Sequence, residues 1–382
     1  MDFSWPKAYL DYKEEVTSFA RSLNNDIVRR DLELEFDHDQ WQKCATFGLF
    51  GLVATEEYGG HQSTVDVEKA TLAMEGFGYG CNDNGLALAV GTQLWNVQIF
   101  LSDYGSESQK RRYLPKMVSG ERIGCHALTE PEAGSDIFQL STTAEKVDGG
   151  YKLDGHKCLI TLAPVADYFI IYCATNKQLG QWGLSSFIVE RSFDGVQVSQ
   201  PQPKMGLRTV PIGEVILDGV FVPEENRIGV EGAGFSLINN SLEYDRGCIL
   251  ASNVGAMQRQ LEEAIEFSNQ RKQYGQSVGK FQSVSNRIVE MKMRHDLAQL
   301  LLYKLAWLKN NGKSAMVEAA MLKLYLGEGF LENSLSAIRT RGGLGYLTES
   351  EIERDLRDAV GGVLYAGTSD IQRNIIARLI GL

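Results

Sequence analysis

The proline residues divide this chain into three parts. Of the eight prolines in 382 residues, Pro6 alone precedes residue 115, seven lie from Pro115 to Pro223, and none follows Pro223. Because proline disrupts the interior of a helix, a long segment without proline permits long helices. The order of structure predicted for the chain is therefore helical, then β, then helical.

The middle part carries the sequence pattern of β-strands. Three runs of β-branched and aromatic residues, at 168–173, 187–189 and 215–217, lie among Gly, Pro and Asp residues. Such runs fit the pleated, half-buried surface of a strand, and the residues around them favour turns. The segment between Pro115 and Pro223 is therefore predicted to form a sheet.

The last third carries a helical period. Apolar side chains recur at intervals of three or four residues, with His295 at the one remaining position of the stripe. The apolar positions are Val284, Ile288, Met291, Ala298, Leu302 and Leu305. We expect a bundle helix that ends near Asn311-Gly312, with His295 packed in the core rather than binding a metal. A second, amphipathic helix is predicted near the carboxyl end, because the segment Gly-Thr-Ser-Asp at 367–370 is typical of an N-cap.

The charge balance argues against some partners. The chain has 38 Lys and Arg against 49 Asp and Glu, a formal charge of −11, whereas nucleic acids and anionic membranes attract a basic surface. No run of about 18 apolar residues occurs, and the start lacks the basic and apolar regions of a signal peptide. We therefore expect no nucleic-acid partner, no membrane partner and a cytoplasmic location.

Cysteine and histidine spacing gives little support for a metal. The six cysteines include no C-x-x-C pair, and the five histidines include no pair at the spacing of metal ligands. Free, mostly buried thiols and no metal site are expected. The chain also lacks G-x-G-x-x-G, Walker A and G-x-S-x-G motifs, which disfavours nicotinamide-binding Rossmann enzymes and serine hydrolases.

A glycine-rich segment follows a basic residue near the carboxyl end. Arg339 precedes the sequence Arg-Gly-Gly-Leu-Gly-Tyr at 341–346. Glycine lets a backbone approach a ligand closely, and a nearby guanidinium suits a phosphate. A turn between two helices explains the same glycines. The residues alone leave both interpretations open.

Six segments, in order along the chain, resemble the motifs of the acyl-coenzyme A dehydrogenase family. The most specific is Ala-Leu-Thr-Glu-Pro-Glu-Ala-Gly-Ser-Asp at 127–136, which is similar to that family's flavin-contacting signature. The others are Glu-Tyr-Gly-Gly at 57–60, Arg-Lys-Gln-Tyr-Gly at 271–275 followed by Phe-Gln at 281–282, Gly-Gly-Leu-Gly-Tyr at 342–346, Glu-Arg-Asp-Leu-Arg-Asp-Ala at 353–359 and Tyr-Ala-Gly-Thr-Ser-Asp-Ile-Gln at 365–372. The likeness covers essentially the whole chain.

The resemblance implies a fold class and a cofactor. The family is α+β, with an N-terminal helical domain, a middle β-barrel domain and a C-terminal four-helix bundle, which correspond here to 1–120, 121–230 and 231–382. It implies FAD bound between the middle domain and the bundle, with a second subunit completing the adenosine end of the site. A homotetramer or dimer and an electron acceptor are implied as partners.

The resemblance also implies which residues contact FAD. Residues matched to the flavin and its phosphates are Leu128, Thr129, Ser135 and Thr161. Residues matched to a neighbouring subunit's FAD are Arg271, Tyr274, Gln282, Arg339, Gly342 and Gly343. Thr368 and Asp370 match positions at the ADP half of the cofactor. Ser135 and Arg246 are also expected to contact the substrate.

The catalytic base is where this chain departs from the common family pattern. α,β-Dehydrogenation of a thioester needs a carboxylate to take the Cα proton, and many members carry a glutamate where this chain has Ala366. The resemblance implies that the backbone N–H of Ala366 still holds the thioester carbonyl, in the manner of an oxyanion hole. A subset of the family carries the base before an arginine on a bundle helix, which matches Asp245-Arg246. Glu243 lies about 200° from Asp245 on an ideal helix, so the two cannot serve one site equally.

Asp245-Arg246 and the closing segment at 356–372 resemble the biosynthetic branch of the family. That branch oxidises acyl or aminoacyl groups on a phosphopantetheine carrier protein, so the predicted substrate is a carrier-bound thioester, with L-prolyl as first choice. Two alternatives stay open. One is a dehydrogenase of a short or branched acyl-coenzyme A, and the other is an inactive flavin-binding scaffold, suggested only by Ala366.

Overall fold

The computed structural model describes residues 4–382. Residues 1–3 lie outside the described residues. They are part of the predicted N-terminal domain and of the amino-terminal segment from which the cytoplasmic location is expected. Helices form the first part of the described chain, a sheet forms the middle, and helices form the rest. This is the order that the prolines predict.

Within the described residues, the N-terminal part contains seven α-helices. They are α1 (Lys7–Arg21), α2 (Ile27–Glu33), α3 (His38–Phe47), α4 (Val67–Gly80), α5 (Asn84–Gly91), α6 (Ile99–Tyr104) and α7 (Glu107–Val118). Between α5 and α6 the helix widens into a π-helical segment, Thr92–Gln98, in which every residue is buried. Single π-helical turns within α-helices occur frequently at functional sites.

The described residues of the middle part form an eight-stranded sheet. Its strands are β1 (Gly124–Ala127), β2 (Thr143–Val147), β3 (Gly150–Thr161), β4 (Tyr168–Ala174), β5 (Leu184–Glu190), β6 (Val196–Val198), β7 (Ile212–Pro223) and β8 (Arg227–Ile228). The hydrogen-bonded order is β6-β7-β3-β2-β4-β5-β8, and β1 pairs with β4 in parallel. Strand β4 is buried along its whole length, as expected of a continuous apolar run. The three predicted strands lie within β4, β5 and β7, which confirms them.

A β-bulge lies near the end of β3. The pairing of β3 with β7 changes register between Lys157 and Ile160. Leu159, inside this stretch, has a φ of 56° and a side chain that is 61% exposed. A positive φ is uncommon for a residue other than glycine, and a bulge redirects side chains. The bulge turns Leu159 out of the core and toward the cavity described below.

The carboxyl-terminal part is again helical. Its elements are α8 (Gly234–Asp245), α9 (Ala251–Gln270), the short hairpin of β9 (Lys272–Gln273) and β10 (Gln276–Ser277), α10 (Gln282–Asn310), α11 (Met316–Arg341), α12 (Ile352–Gly361) and α13 (Ser369–Leu379). Helix α10 holds the predicted apolar stripe, with His295 buried, and ends directly before Asn311. The Thr368 hydroxyl accepts a hydrogen bond from the N–H of Ile371 and caps α13. Both helix predictions are confirmed.

Helix α4 of the first part packs directly against helix α9 of the last part, with the two backbones close together. A Cβ added to Gly78 of α4 would lie 1.9 Å from the carbonyl oxygen of Ser252 in α9. One added to Gly255 of α9 would lie 2.0 Å from the carbonyl oxygen of Glu75. Only glycine permits backbones this close. The contact holds the N-terminal helices against the bundle.

The cysteines of the chain are free thiols. Five are buried, and Cys158 is half-buried. Burial raises the pKa of the Cys173 thiol to about 12, which keeps it protonated and unreactive. Among residues 4–382, no cluster of His, Cys, Asp and Glu side chains is arranged to hold a metal ion. No helix in the described part of the chain combines the length and the apolar character that a membrane span needs.

Candidate active site

A cavity of about 1210 Å³ lies between the middle sheet and the carboxyl-terminal helices. Eight of the residues selected from the sequence line it. They are Leu128, Thr129, Ser135, Thr161, Asp245, Arg246, Ala366 and Thr368. Pockets for drug-sized ligands measure about 300–1,000 Å³. This cavity therefore has room for a cofactor together with a substrate.

Asp245 is the last residue of α8 and lies in the cavity wall. Its Oδ1 accepts a hydrogen bond from the side-chain amide of Asn96 at 3.0 Å. Burial raises the pKa of Asp245 above the ordinary aspartate value, opposed by the Asn96 hydrogen bond and by the charges of Arg246 and Lys323. A raised pKa brings a carboxylate closer to the range in which a general base works well at neutral pH.

The turn at Ala366 is held through its carbonyl oxygen. Arg246 Nε donates to that oxygen at 3.2 Å, and Gln372 Nε2 donates to it at 3.1 Å. Ala366 has a φ of 52°, in the left-handed region that alanine rarely adopts. Its N–H has no hydrogen-bond partner among residues 4–382. A fixed, unpaired N–H in a cavity wall is available to a ligand oxygen.

Glu243 belongs to a different environment from Asp245. Its carboxylate is 2.8 Å from Lys309 Nζ and accepts a hydrogen bond from the N–H of Ala315 at 3.1 Å. The side chain is buried, and Glu243 is not among the residues that line the cavity. Helical geometry therefore leaves Asp245 as the carboxylate of this segment that faces the cavity.

A buried ion pair supports the segment at 127–136. Lys157 Nζ lies 2.8 Å from Glu130 Oε1, and the two side chains are 0% and 1% exposed. The same ammonium group donates to the carbonyl oxygen of Leu128 at 3.3 Å. Burial opposes ionisation of Glu130, but the Lys157 charge and hydrogen bonds from Lys157 and Ser141 outweigh it and lower the pKa of Glu130 to about 2. Leu128 is thus positioned by charged groups behind it.

A neutral histidine contributes to the cavity wall. His126 Nε2 is 2.9 Å from the hydroxyl oxygen of Tyr172. Burial lowers the pKa of His126 to about 4, and the charge of Lys157 acts in the same direction. The imidazole is therefore uncharged at neutral pH, and it makes this part of the wall polar without adding a charge.

Three of these residues, Asn96, His126 and Lys157, were not predicted from the sequence. Only Lys157 could have been found from the sequence. It lies an even number of residues from Tyr151 and Leu153 in β3, so alternation along the strand places it on the same, buried face. A lysine on the core side of a strand needs an acidic partner. Asn96 and His126 lie in apolar stretches where no local pattern distinguishes the polar residue that reaches a site.

Seven predicted residues lie at the surface and do not line the cavity. They are Arg271, Tyr274, Gln282, Arg339, Gly342, Gly343 and Asp370. The side chain of Tyr274 is 94% exposed and that of Asp370 is 92% exposed. Within one copy of the chain, the predicted site residues therefore form two groups. The eight that line the cavity are the cavity group, and these seven are the surface group.

The cavity-lining residues fit a flavin cofactor. The apolar side chains of Leu128 and Leu159 suit the face of an aromatic ring system. The hydroxyls of Thr129 and Ser135 suit polar ring-edge atoms and phosphate oxygens. A Cβ built on Gly134 meets no atom within 4 Å, so the loop leaves open space beside it. The predicted flavin site is therefore chemically consistent with the cavity.

Comparison with known families assigns a class to this fold and cavity. The description "Acyl-CoA dehydrogenase, N-terminal domain" matches residues 8–121, the middle domain of the same family matches 125–220, and its C-terminal domain matches 232–381. The chain belongs to the acyl-CoA dehydrogenase family. The resemblance inferred from the motifs is confirmed, and so is the predicted fold class.

Individual relatives cover nearly the whole chain. An L-prolyl-[peptidyl-carrier protein] dehydrogenase of Pseudomonas fluorescens is 42% identical over 348 residues, which is 91% of each chain. A protein of the same name from Serratia sp. is 37% identical over 100% of this chain and 99% of its own. The solved structure of the prolyl acyl carrier protein oxidase AnaB has a TM-score of 0.97 at 43% identity, covering 99% of this chain and 100% of its own. A structure described as "PigA with FAD and proline" has a TM-score of 0.97 at 36% identity, covering 100% of both chains.

Proposed function

We propose that this protein is an FAD-dependent dehydrogenase of a thioester held on a phosphopantetheine carrier protein, with L-prolyl as the acyl group. The observation that carries the proposal is that Asp245 and the unpaired N–H of Ala366 line the same cavity as the flavin-facing residues. The relatives support it, since two prolyl-carrier dehydrogenases and a structure with FAD and proline resemble the chain along nearly its full length.

The chain's own residues divide the reaction between a base and a carbonyl site. Asp245 takes the proton from Cα of the acyl group. The N–H of Ala366 donates to the thioester oxygen and stabilises the negative charge that develops as the proton leaves. Arg246 and Gln372 hold the Ala366 peptide in place through its carbonyl oxygen. FAD, when bound, accepts the hydride that the substrate loses.

Helix α10 supports the further proposal that the protein acts as a homotetramer or dimer. Its solvent side carries large apolar residues at intervals of three or four. They are Val289, Met293, Leu297 and Leu300, each more than 40% exposed. An apolar stripe on the outer face of a helix marks a contact surface. A second copy of the chain is the occupant we propose, because the surface group of cofactor residues needs a neighbour's cofactor to contact.

Two neighbouring cations support that role for the surface group. Burial lowers the pKa of Arg287, and the nearby charge of Arg339 acts in the same direction. Neither guanidinium forms an ion pair within residues 4–382. Two cations that lack a carboxylate partner within the described chain suit an anionic ligand such as a pyrophosphate. We propose that they contact the phosphates of FAD held by the neighbouring subunit.

Mass spectrometry of intact carrier proteins tests the proposed activity. Phosphopantetheine carriers loaded with L-prolyl, other aminoacyl and short acyl groups, together with matched coenzyme A esters, are incubated with the FAD-loaded protein. We expect the prolyl carrier to lose two hydrogens. Loss from coenzyme A esters alone would identify a coenzyme A ester dehydrogenase instead. A protein that keeps its flavin oxidised with every substrate would be the inactive scaffold.

A further inference from the structure

The carboxylate of Asp245 has a single hydrogen-bond donor among residues 4–382. That donor is the side-chain amide of Asn96, whose Nδ2 lies 3.0 Å from Oδ1 of Asp245. Arg246, the next residue, instead donates its Nε–H to the carbonyl oxygen of Ala366. The orientation of the proposed base therefore depends on an amide that is contributed by the N-terminal helices.

The π-helical segment Thr92–Gln98 delivers this amide. Trp95, directly before Asn96, stacks on Tyr244, with ring centres 6.0 Å apart and planes inclined by 11°. Tyr244 directly precedes Asp245 in α8. Two consecutive residues of the π-helical segment thus contact two consecutive residues of α8. This double contact fixes the register of the two segments and brings the amide to the carboxylate.

The amide of Asn96 is satisfied on one side only. Asn96 is 9% exposed, and its Oδ1 has no hydrogen-bond partner in the described part of the chain. An ionised carboxylate only accepts hydrogen bonds, so the amide nitrogen must face Asp245. A buried, unpaired oxygen is unfavourable, and leucine, of similar volume, would avoid it. Within the described part of the chain, the bond that this amide makes is the one to Asp245, and its side chain lines the cavity beside it.

We propose that Asn96 is a positioning residue that fixes the carboxylate of Asp245 in the orientation in which it takes the Cα proton. The inference rests on the proposed function, because it adds a residue to the same reaction. Asp245 is at the end of its helix, and without this bond its carboxylate is free to rotate toward the guanidinium of Arg246. A base held in place reacts faster than one that must first reorient.

The same hydrogen bond favours the charged form of the base. The titratable groups that face Asp245 are Arg246, Lys323, Tyr172 and Tyr365. The two cations lower the pKa of Asp245 and burial raises it, while burial keeps both tyrosines protonated at neutral pH. When the Asn96 bond is removed, burial is less strongly opposed. The pKa of Asp245 then rises. As the pH is lowered, the rate of flavin reduction therefore begins to fall at a higher pH than in the parent.

The test is the pH dependence of flavin reduction, measured by rapid mixing of the FAD-loaded protein with the L-prolyl carrier. At low pH the rate of flavin reduction falls as the base becomes protonated, and we call this part of the profile the acid limb. In Asn96→Leu the acid limb should lie about one pH unit higher than in the parent, and at pH values within it the rate should be about tenfold lower. Both changes are the size expected for the loss of one hydrogen bond to a charged group. KM and the flavin spectrum stay unchanged. In Asn96→Asp a second carboxylate faces the base, so the limb moves further.

Gln98→Leu is the matched control. Gln98 is a buried amide in the same π-helical segment, and it donates to the carbonyl oxygen of Phe50 at 3.1 Å rather than to the base. Its replacement is expected to lower stability and leave the acid limb in place. Asn96→Ser, too short to reach Asp245, replaces Asn96→Leu if that variant does not fold. If the acid limb of the folded Asn96 variants lies at the same pH as in the parent while Asp245→Asn is inactive, the inference about Asn96 is overturned and the proposed function is not. A fully active Asp245→Asn variant overturns the proposed function instead.

Discussion

Lys157 and Glu130 form an ion pair that is closed off from solvent, with 2.8 Å between Nζ and Oε1. The pair connects β3 to the segment at 127–136, which carries the proposed flavin contacts. The Glu130 carboxylate also accepts hydrogen bonds from Ser141 and from the N–H of Thr142. Water does not reach either charge, so each depends on the other for compensation. Removing one partner leaves the other charge buried and unpaired.

The first prediction concerns the stability that this pair contributes. Lys157→Met should lower the free energy of unfolding by about 3–5 kcal/mol, because the Glu130 charge loses its counterion in a buried place. Urea unfolding followed by circular dichroism measures the change. The double variant Lys157→Met/Glu130→Gln removes the stranded charge and should recover most of the loss. A double variant as unstable as the single one would contradict the account.

The second prediction concerns acid stability. The pKa of Glu130 is about 2 in the folded chain and about 4.5 for an unperturbed glutamate. The folded state thus binds this proton less readily than the unfolded state, and stability falls where only the unfolded state is protonated. The contribution of Glu130 should be complete above about pH 4.5 and decline as the pH falls toward 2. Unfolding curves of the parent and the double variant across this window test this: as the pH falls, the parent should lose stability relative to the double variant, which has no carboxyl group at position 130.

Local patterns predict much of this fold because they report local physics. Proline positions exclude long helices from the middle part, and the period of apolar residues sets the length of α10 up to Asn311. Thr368 is recognisable as an N-cap because its hydroxyl bonds within three residues. Asp245 and Ala366 were found through motifs, since their roles depend on segments that meet only in the folded chain.

Asn96 shows what the sequence does not reveal. It is 149 residues from Asp245, and no local period connects them. A π-helical turn changes which residues of a helix share a face, so an α-helical count along 92–98 misplaces this side chain. Lys157 was predictable in principle, since alternation along β3 places it on the buried side with Tyr151 and Leu153.

The third prediction concerns the carrier protein. We expect kcat/KM to be higher for the L-prolyl carrier than for L-prolyl-coenzyme A at moderate ionic strength. Carrier proteins are acidic and this chain has a formal charge of −11, so docking requires a local basic patch and should weaken as salt screens it. Steady-state rates at rising salt measure both effects. A larger kcat/KM for the coenzyme A ester would favour the alternative function.

The fourth prediction concerns the position that carries glutamate in many family members. Ala366→Glu places a second carboxylate in the cavity that holds Asp245, where like charges raise the pKa of at least one of them. We expect FAD to stay bound and oxidation of the prolyl carrier to fall by about tenfold or more, because the added side chain takes space in the cavity and its charge leaves Asp245 less often ionised. Ala366→Gln, of equal size and no charge, separates steric exclusion from charge. Equal rates for Ala366→Glu and the parent would show that neither effect operates.

The last prediction concerns the base itself. Asp245→Asn should keep the fold and bound FAD and slow flavin reduction by the prolyl carrier by about 10²-fold or more, because positioned general-base catalysis contributes at least that much. Glu243→Gln is the matched comparison on the same helix: its carboxylate is committed to Lys309 and Ala315 outside the cavity, so it should lose stability and keep its rate of flavin reduction. Thermal unfolding and the flavin spectrum establish the state of each variant, and rapid mixing measures the rate. If Asp245→Asn reduces its flavin as fast as the parent, Asp245 is not the base, whatever the family membership of the chain.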